Sequence, residues 1–315
     1  MLAVDSLDTP LNIPLTSIES YPSRRESLAE LKETKINIIE FLKLSRCPVQ
    51  RLLGQRNGSM GEQQTHSQRY LYDLQFITLG EDCLEHISDD KLRAKLDAAI
   101  SLKREQLGRS FWNATLASPE LLYFAGGNRY DVEIARFQES IVALENLNEY
   151  APRKLLADPV RLKNTQALSS GFESQLQVLQ REKLLRTHLS LQKTITRSLT
   201  SISSRLAETR AICPQRDPKR KQIALAVFQK FYIGEIQPLI SRVSQSGARV
   251  QNALSSLVVS SSHSEEAYDR YWNSNWNEQT DSIWSSYNAA VLTHTKAWQK
   301  ALASCQVDVG QLRSP

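Results

Sequence analysis

Glycine and proline are scarce in this chain, with 11 of each in 315 residues, below the roughly 7% and 5% of ordinary proteins. Few turn-makers mean few turns, and few turns in a long chain mean long elements, which favours helix over sheet. No stretch approaches the roughly 18 consecutive apolar residues of a membrane-spanning helix. No H-E-x-x-H, G-x-S-x-G, Walker or G-x-G-x-x-G pattern occurs, so nothing signals metalloprotease, serine-hydrolase or nucleotide chemistry. There are only four cysteines, Cys47, Cys83, Cys213 and Cys305. None belongs to a C-x-x-C, which argues against zinc. These absences point away from an enzyme and call for no cofactor and no metal.

What is present is the composition of a globular protein: 41% hydrophobic, 23% charged, net charge +5. At about 150 residues per domain, the length suits two domains or one large one. The opening Met1-Leu2-Ala3-Val4-Asp5 has no basic segment and no apolar run of a leader. That leaves a cytosolic protein, or an exported one whose leader lies upstream. Residues 1–22 carry Pro10, Pro14 and Pro22 and read as an extended tail.

From Ser23 the pattern is helical. Leu28, Leu31, Ile38 and Leu42 fall at 3/4 spacing, and Val49 and Leu52 continue the stripe past Pro48, where the helix should kink or restart. Helices are predicted over Ser67–Ile87, after the Ser88-Asp89-Asp90 cap, around Phe111, from Ser118-Pro119, and over Val132–Tyr150. Around Ala151-Pro152 the character changes, dividing a subdomain over 23–150 from a long-helix bundle over 153–315. Residues 160 to about 210 hold no proline, and would span about 70 Å as one helix. A second long helix is predicted over 223–258, interrupted by Pro238. A third begins at a capping box, Ser262 to Glu265, and runs to Cys305. The fold class is therefore all-α, an elongated bundle of long antiparallel helices with no significant sheet.

The even cysteine count, one pair in each half, suggests Cys47–Cys83 and Cys213–Cys305, though four cysteines allow three pairings. Bridges would imply an oxidising compartment; the alternative is four buried thiols acting as small hydrophobes.

Charge is uneven. Residues 181–222 hold 11 Lys/Arg against 3 Asp/Glu, and the densest run includes Arg216, Lys219, Arg220 and Lys221. That patch could contact nucleic acid or anionic lipid. No nucleic-acid motif accompanies it and no aromatics interleave, so a solvated or internally paired face is the preferred reading and nucleic acid is not favoured. Tyr268, Trp272 and Trp276 stand at i, i+4, i+8, with Asn273 and Asn277 beside them. They could line an aromatic pocket for a sugar-like or amphiphilic ligand, although a bundle core explains them more simply. His294 reads as a core histidine. His263 with Glu265, Glu266 and Asp269 reads as a helix N-terminus rather than a metal site.

Several stretches resemble a family of gammaproteobacterial envelope lipoproteins known as domain of unknown function 3080. They are INIIEFLKLSRC (Ile36–Cys47), QRLLGQRNGSMG (Gln50–Gly61), SQRYLYDLQFI (Ser67–Ile77), FWNA (Phe111–Ala114) and the Tyr271-Trp272-Asn273 region. The resemblance implies a location in the cell envelope, on the periplasmic side, with an acylated N-terminal cysteine; this chain has Met1 and no such cysteine. It carries no established activity and no functional residues. The expectation is a non-enzymatic protein that binds a partner protein or envelope component, reaching the membrane only through an N-terminal lipid anchor outside this chain. Ligand binding at the Trp/Asn face and anion binding at 216–221 are the alternatives.

Overall fold

The computed structural model of the chain describes residues 17–33, 44, 47–57, 64–127, 134–208 and 218–307. Among the described residues every regular element is helical and there is no strand, so the all-α reading holds. The chain forms two compact units. One comprises Ser20–Leu185 and Arg249–Arg270; the other comprises Met1–Glu19, Arg186–Ala248 and Tyr271–Pro315. Each is discontinuous in sequence, whereas the sequence reading divides the chain at Ala151-Pro152.

In the first unit, α1 (Arg24–Ser27) is a single turn closed by a capping box between Ser23 and Glu26. The helix predicted to continue from there does not. Leu28 turns to φ −75°, ψ 120°, and residues 28–33 run without regular structure. Their backbone groups are met by amide side chains instead. Asn113 accepts from the Ala29 N–H and donates to the Ala29 carbonyl, both at 2.9 Å. Gln106 does the same for Lys32, at 3.0 and 2.8 Å, and the Trp112 indole N–H donates to the Ser27 carbonyl at 2.7 Å. A primary amide can mimic a strand partner, which removes the cost of leaving the segment non-helical. Ile38 and Leu42 lie outside the described residues.

Helix α2 (Pro48–Asn57) restarts with Pro48 as its first residue, where a missing N–H costs nothing. Next come α3 (His66–Leu84), capped by Thr65, and α4 (Asp90–Glu105), capped by Asp89. The short α5 (Leu107–Ala114) precedes α6 (Pro119–Ala125), capped by Ser118. Helix α3 packs against α2, α4 and α5. Gly80 allows the approach to α4, since a Cβ there would come within 2.9 Å of Ile100 Cδ1. At the junction of α3, α4 and α5, buried Lys103 pairs with buried Asp73, and Ser110 donates to the other Asp73 oxygen at 3.2 Å. The ammonium also lies 5.1 and 5.3 Å from the ring centroids of Tyr72 and Phe76. The Cys47–Cys83 disulfide ties the start of α2 to the end of α3, with Cα atoms 5.5 Å apart.

The unit continues through α7 (Ile134–Leu147), α8 (Pro152–Leu156), α9 (Pro159–Lys163) and α10 (Thr165–Leu179). The single long helix predicted after residue 160 is thus broken. Asn164 ends α9 and caps α10 by accepting from Ala167 N–H at 3.3 Å. After Leu179 the chain turns again, and Leu184 N–H donates to the Phe124 carbonyl at 3.1 Å. Neither break uses proline or glycine. The returning segment is held by Arg249, whose guanidinium makes two 2.7 Å bonds to Glu145.

The second unit holds α11 (Leu185–Glu208) from Arg186 on, α12 (Pro218–Val227), the part of α13 (Gln237–Ser261) up to Ala248, the end of α14 (Glu266–Asn275) from Tyr271, and α15 (Ile283–Ser304); the rest of α13 and α14 belongs to the first unit. Between α12 and α13, residues Phe228–Ile236 widen into π turns, and Gln237 N–H reaches back to the Tyr232 carbonyl. Pro238, near the start of α13, has no N–H, and its ring would clash with the Gly234 carbonyl in a regular α-helix. The wider turns relieve that conflict, so the interruption expected at Pro238 is a local widening.

Gly108 generates a test of the first unit. A Cβ at this position would sit 2.0 Å from the Ser261 carbonyl oxygen, and 3.1 Å from its carbon. In an open helix Gly→Ala gains about 1 kcal/mol. Here the sign reverses, because a backbone carbonyl cannot swing aside. Gly108→Ala is expected to destabilise by about 2 kcal/mol, read as a lower denaturant midpoint at unchanged slope.

Candidate functional site

The aromatic and asparagine cluster around residues 268–277 is where the sequence concentrates unusual chemistry. The final helix expected there is two helices, α14 and α15, separated by a turn over 276–282. Ser262 is not the N-cap of α14. It closes α13 with a φ of 48°, and Ser264 donates to Asp269 inside the next turn. His263 Nε2 lies 2.8 Å from Glu265, while Arg270 pairs with Glu266 one turn along at 2.8 Å. These acids are engaged at the start of a helix.

The three rings predicted to share a face differ in surroundings. In the first unit, buried Tyr268 sits edge-on to Trp112 at 5.1 Å and to Tyr21 at 5.8 Å. Trp276, in the second unit, lies just past the end of α14 with 0% exposure. Its indole N–H donates to the Tyr271 hydroxyl at 3.0 Å, and its ring lies parallel to His188 at 6.5 Å. Trp272 is half-buried and Asn273 exposed. Half-buried Asn277 donates to Asn273 Oδ1 at 2.7 Å and accepts from Gln279 N–H at 2.9 Å. The asparagines therefore hold the turn that ends α14, as short amide side chains do. Of the four predicted face residues, Asn273 is exposed, Trp272 and Asn277 are half-buried, and Trp276 is fully buried.

Sequence reasoning missed three polar side chains beneath this region. Asn275 is fully buried, donates to the Glu19 and Tyr271 carbonyls at 3.0 Å each, and leaves Oδ1 without a hydrogen-bond partner. Buried Gln192 donates to His188 Nε2 at 3.2 Å, while its Oε1 has no partner. Because the amide N–H is the donor, His188 keeps its proton on Nδ1. Gly247 makes room for both neighbours: a Cβ would meet Trp284 Cζ3 at 2.4 Å and Gln192 Nε2 at 2.6 Å. Helical spacing could have placed His188 and Gln192 on one face, but not against Trp276.

His294 is a satisfied core histidine, as its position on the apolar stripe suggested. The Trp298 indole can only donate, and it does so to His294 Nε2 at 3.1 Å; Nδ1 therefore holds the proton and donates to Ser203 Oγ at 3.0 Å.

The basic segment is only partly described. Arg216 and the side chain of Arg220 lie outside the described residues. Lys219 is exposed. Half-buried Lys221 reaches the Gln306 carbonyl at 3.5 Å, a cation placed at the end of α15 where the helix dipole favours it. Buried Cys305 is disulfide-bonded and packs on Ala224; Cys213, its expected partner, lies outside the described residues.

Two measurements follow from this geometry. Trp276→Ala removes a fully buried ring and is expected to cost about 3–5 kcal/mol, seen as a large drop in melting temperature. Acidification should also destabilise. Burial holds His188 down at about 3 and lowers His294 as well. The unfolded chain protonates these rings near pH 6.5, so below that value it binds more protons than the native state. Stability present above pH 6.5 is lost as pH falls, by about 2 kcal/mol from His188 alone at pH 5. His188→Gln should flatten that slope whatever its starting stability.

Among the described residues no helix is long and apolar enough to cross a membrane. No curated protein and no solved structure matches the chain. A family model described as protein of unknown function (DUF3080) matches residues 1–309, and by that match over nearly its whole length the chain belongs to the DUF3080 family.

Proposed function

We propose that this chain is a non-enzymatic helical protein of the cell envelope, on its periplasmic side, that acts by binding a partner protein or an envelope component. The observation that carries the reading is the state of the cysteines. Cys47 and Cys83 are bridged and Cys305 is also disulfide-bonded, which suits an oxidising compartment and would be reversed by cytosolic reductants. The Cys47–Cys83 bridge closes a 36-residue separation, worth about 4 kcal/mol of loop-closure entropy. A second consideration supports binding over catalysis. The histidines at 188 and 294 and the aromatic rings around them are held in neutral, internally bonded packing, and the acids of α14 are engaged locally. Lipid attachment, which the resemblance to envelope lipoproteins implies, belongs to this proposal.

The test is the intact mass of protein purified from its native cells and alkylated with and without reduction. The expected result is no adduct before reduction and four after it, matching the four cysteines. Four adducts without reduction would return the protein to a reducing compartment and overturn the envelope assignment. The same spectrum reports any acyl chain. Crosslinking in intact envelopes should then capture a specific neighbour.

A further inference from the structure

Lys103 and Asp73, at the junction of α3, α4 and α5, are placed to react as well as to pair. The lysine keeps 4% of its surface exposed and the aspartate 1%, and Nζ contacts Oδ1. The rings of Tyr72 and Phe76 lie against the ammonium, and buried Ser110 donates to Oδ2. The two carboxylate oxygens are therefore distinct: one meets the amine, the other a hydroxyl. Burial makes both charges costly, and a neutral amide in their place would remove them together. Two groups held in contact and well oriented also reach an effective concentration of roughly 10⁵–10⁸ M, which free lysine and aspartate in water never have.

We propose that Lys103 and Asp73 condense in the folded protein to an isopeptide bond between Nζ and Cγ. The ammonium first passes one proton to Oδ1, leaving an amine beside a carboxylic acid, the forms that a buried apolar setting favours. The Nζ lone pair then attacks Cγ, the C–N bond forms, and the carbonyl pair moves onto Oδ2. Ser110 holds that oxygen by the hydrogen bond already present, and a donor at a developing oxyanion lowers the barrier. A second proton goes from nitrogen to Oδ1, the Cγ–Oδ1 bond breaks, and water leaves as the Oδ2 carbonyl re-forms. No electron is gained or lost, and no co-reactant is needed. The product keeps one N–H and the Ser110 bond, and burial shields it from hydrolysis. It joins α3 to α4 over a sequence separation of 30 residues, through a link that reductants do not open. Such a bond would form whether or not the chain binds an envelope component.

Intact mass and peptide mapping of the full chain, folded and then fully reduced, test it. The expected mass is one water below that of the sequence. Trypsin should leave a branched peptide in which residues 70–91 are joined to residues 96–104, because a lysine held in an amide is not cut. Fragmentation should place the junction at Asp73 and Lys103. Lys103→Arg keeps the cation, but its guanidinium stays protonated and does not attack, so this variant should show its full sequence mass. The proposal is overturned if the folded parent retains the full sequence mass and yields residues 70–91 and 96–103 as separate peptides. It is also overturned if water is lost without the branched peptide, since the dehydration then lies elsewhere, or if Lys103→Arg is still one water light. The parent's mass and peptides decide the matter even where the variant does not fold.

Discussion

Asp73 and Lys103 meet where α3, α4 and α5 join, both almost without exposed surface, and much of the first unit follows from that pairing. Stripping one partner from a buried ion pair costs about 3–5 kcal/mol, so a slip of either helix that separated the charges would be heavily penalised. The pair thus sets α3 against α4, the same two helices that Gly80 allows to approach. Ser110 adds a bond from α5 to the same carboxylate, which orients the short helix. With α5 placed, Gln106, Trp112 and Asn113 point at the backbone of Ser27 to Lys32. A polar interaction at the centre therefore decides where an irregular segment at the edge is held.

That chain of dependence explains which parts of the fold were legible. Local signals were read correctly because their physics is local: Asp89 and Ser118 cap the helices they precede, and Pro48 opens one. The extended course of residues 28–33 was not legible, since the amides that stabilise it lie 74 and 84 positions away. Leu28 and Leu31 sit at helical spacing, but spacing says nothing about a competing hydrogen-bond partner. The breaks after Lys163 and Leu179 were hidden for a related reason. Asn164 is a preferred N-cap type, but the apolar period runs on through it and masked the break, and Leu184 is turned by a bond to Phe124 across the unit.

The candidate site shows the same division. Periodicity alone brought Tyr268, Trp272 and Trp276 together, and it could not say that α14 would end before Trp276. Once it ends there, Trp276 falls against His188 and the Tyr271 hydroxyl, and the neighbouring asparagines are spent on the turn. The buried amides of Gln192 and Asn275 carried no sequence signal, because a buried and an exposed amide read alike in a string of letters.

The first unit takes its last piece, Arg249–Arg270, from far downstream. Arg249 supplies the guanidinium for Glu145, Tyr268 lies against Trp112, and the Ser261 carbonyl occupies the space left by Gly108. During synthesis the N-terminal helices can form, and Cys47 can find Cys83, well before that piece exists. Until residue 270 is available, Trp112 lacks its Tyr268 neighbour and Glu145 lacks Arg249, so the nascent chain carries a half-built core through most of its own production. Such a chain is exposed to misassociation for as long as translation or export takes. A premature stop between residues 185 and 249 would yield a product that retains the Cys47–Cys83 bridge and most helices of the first unit yet lacks one wall of its core.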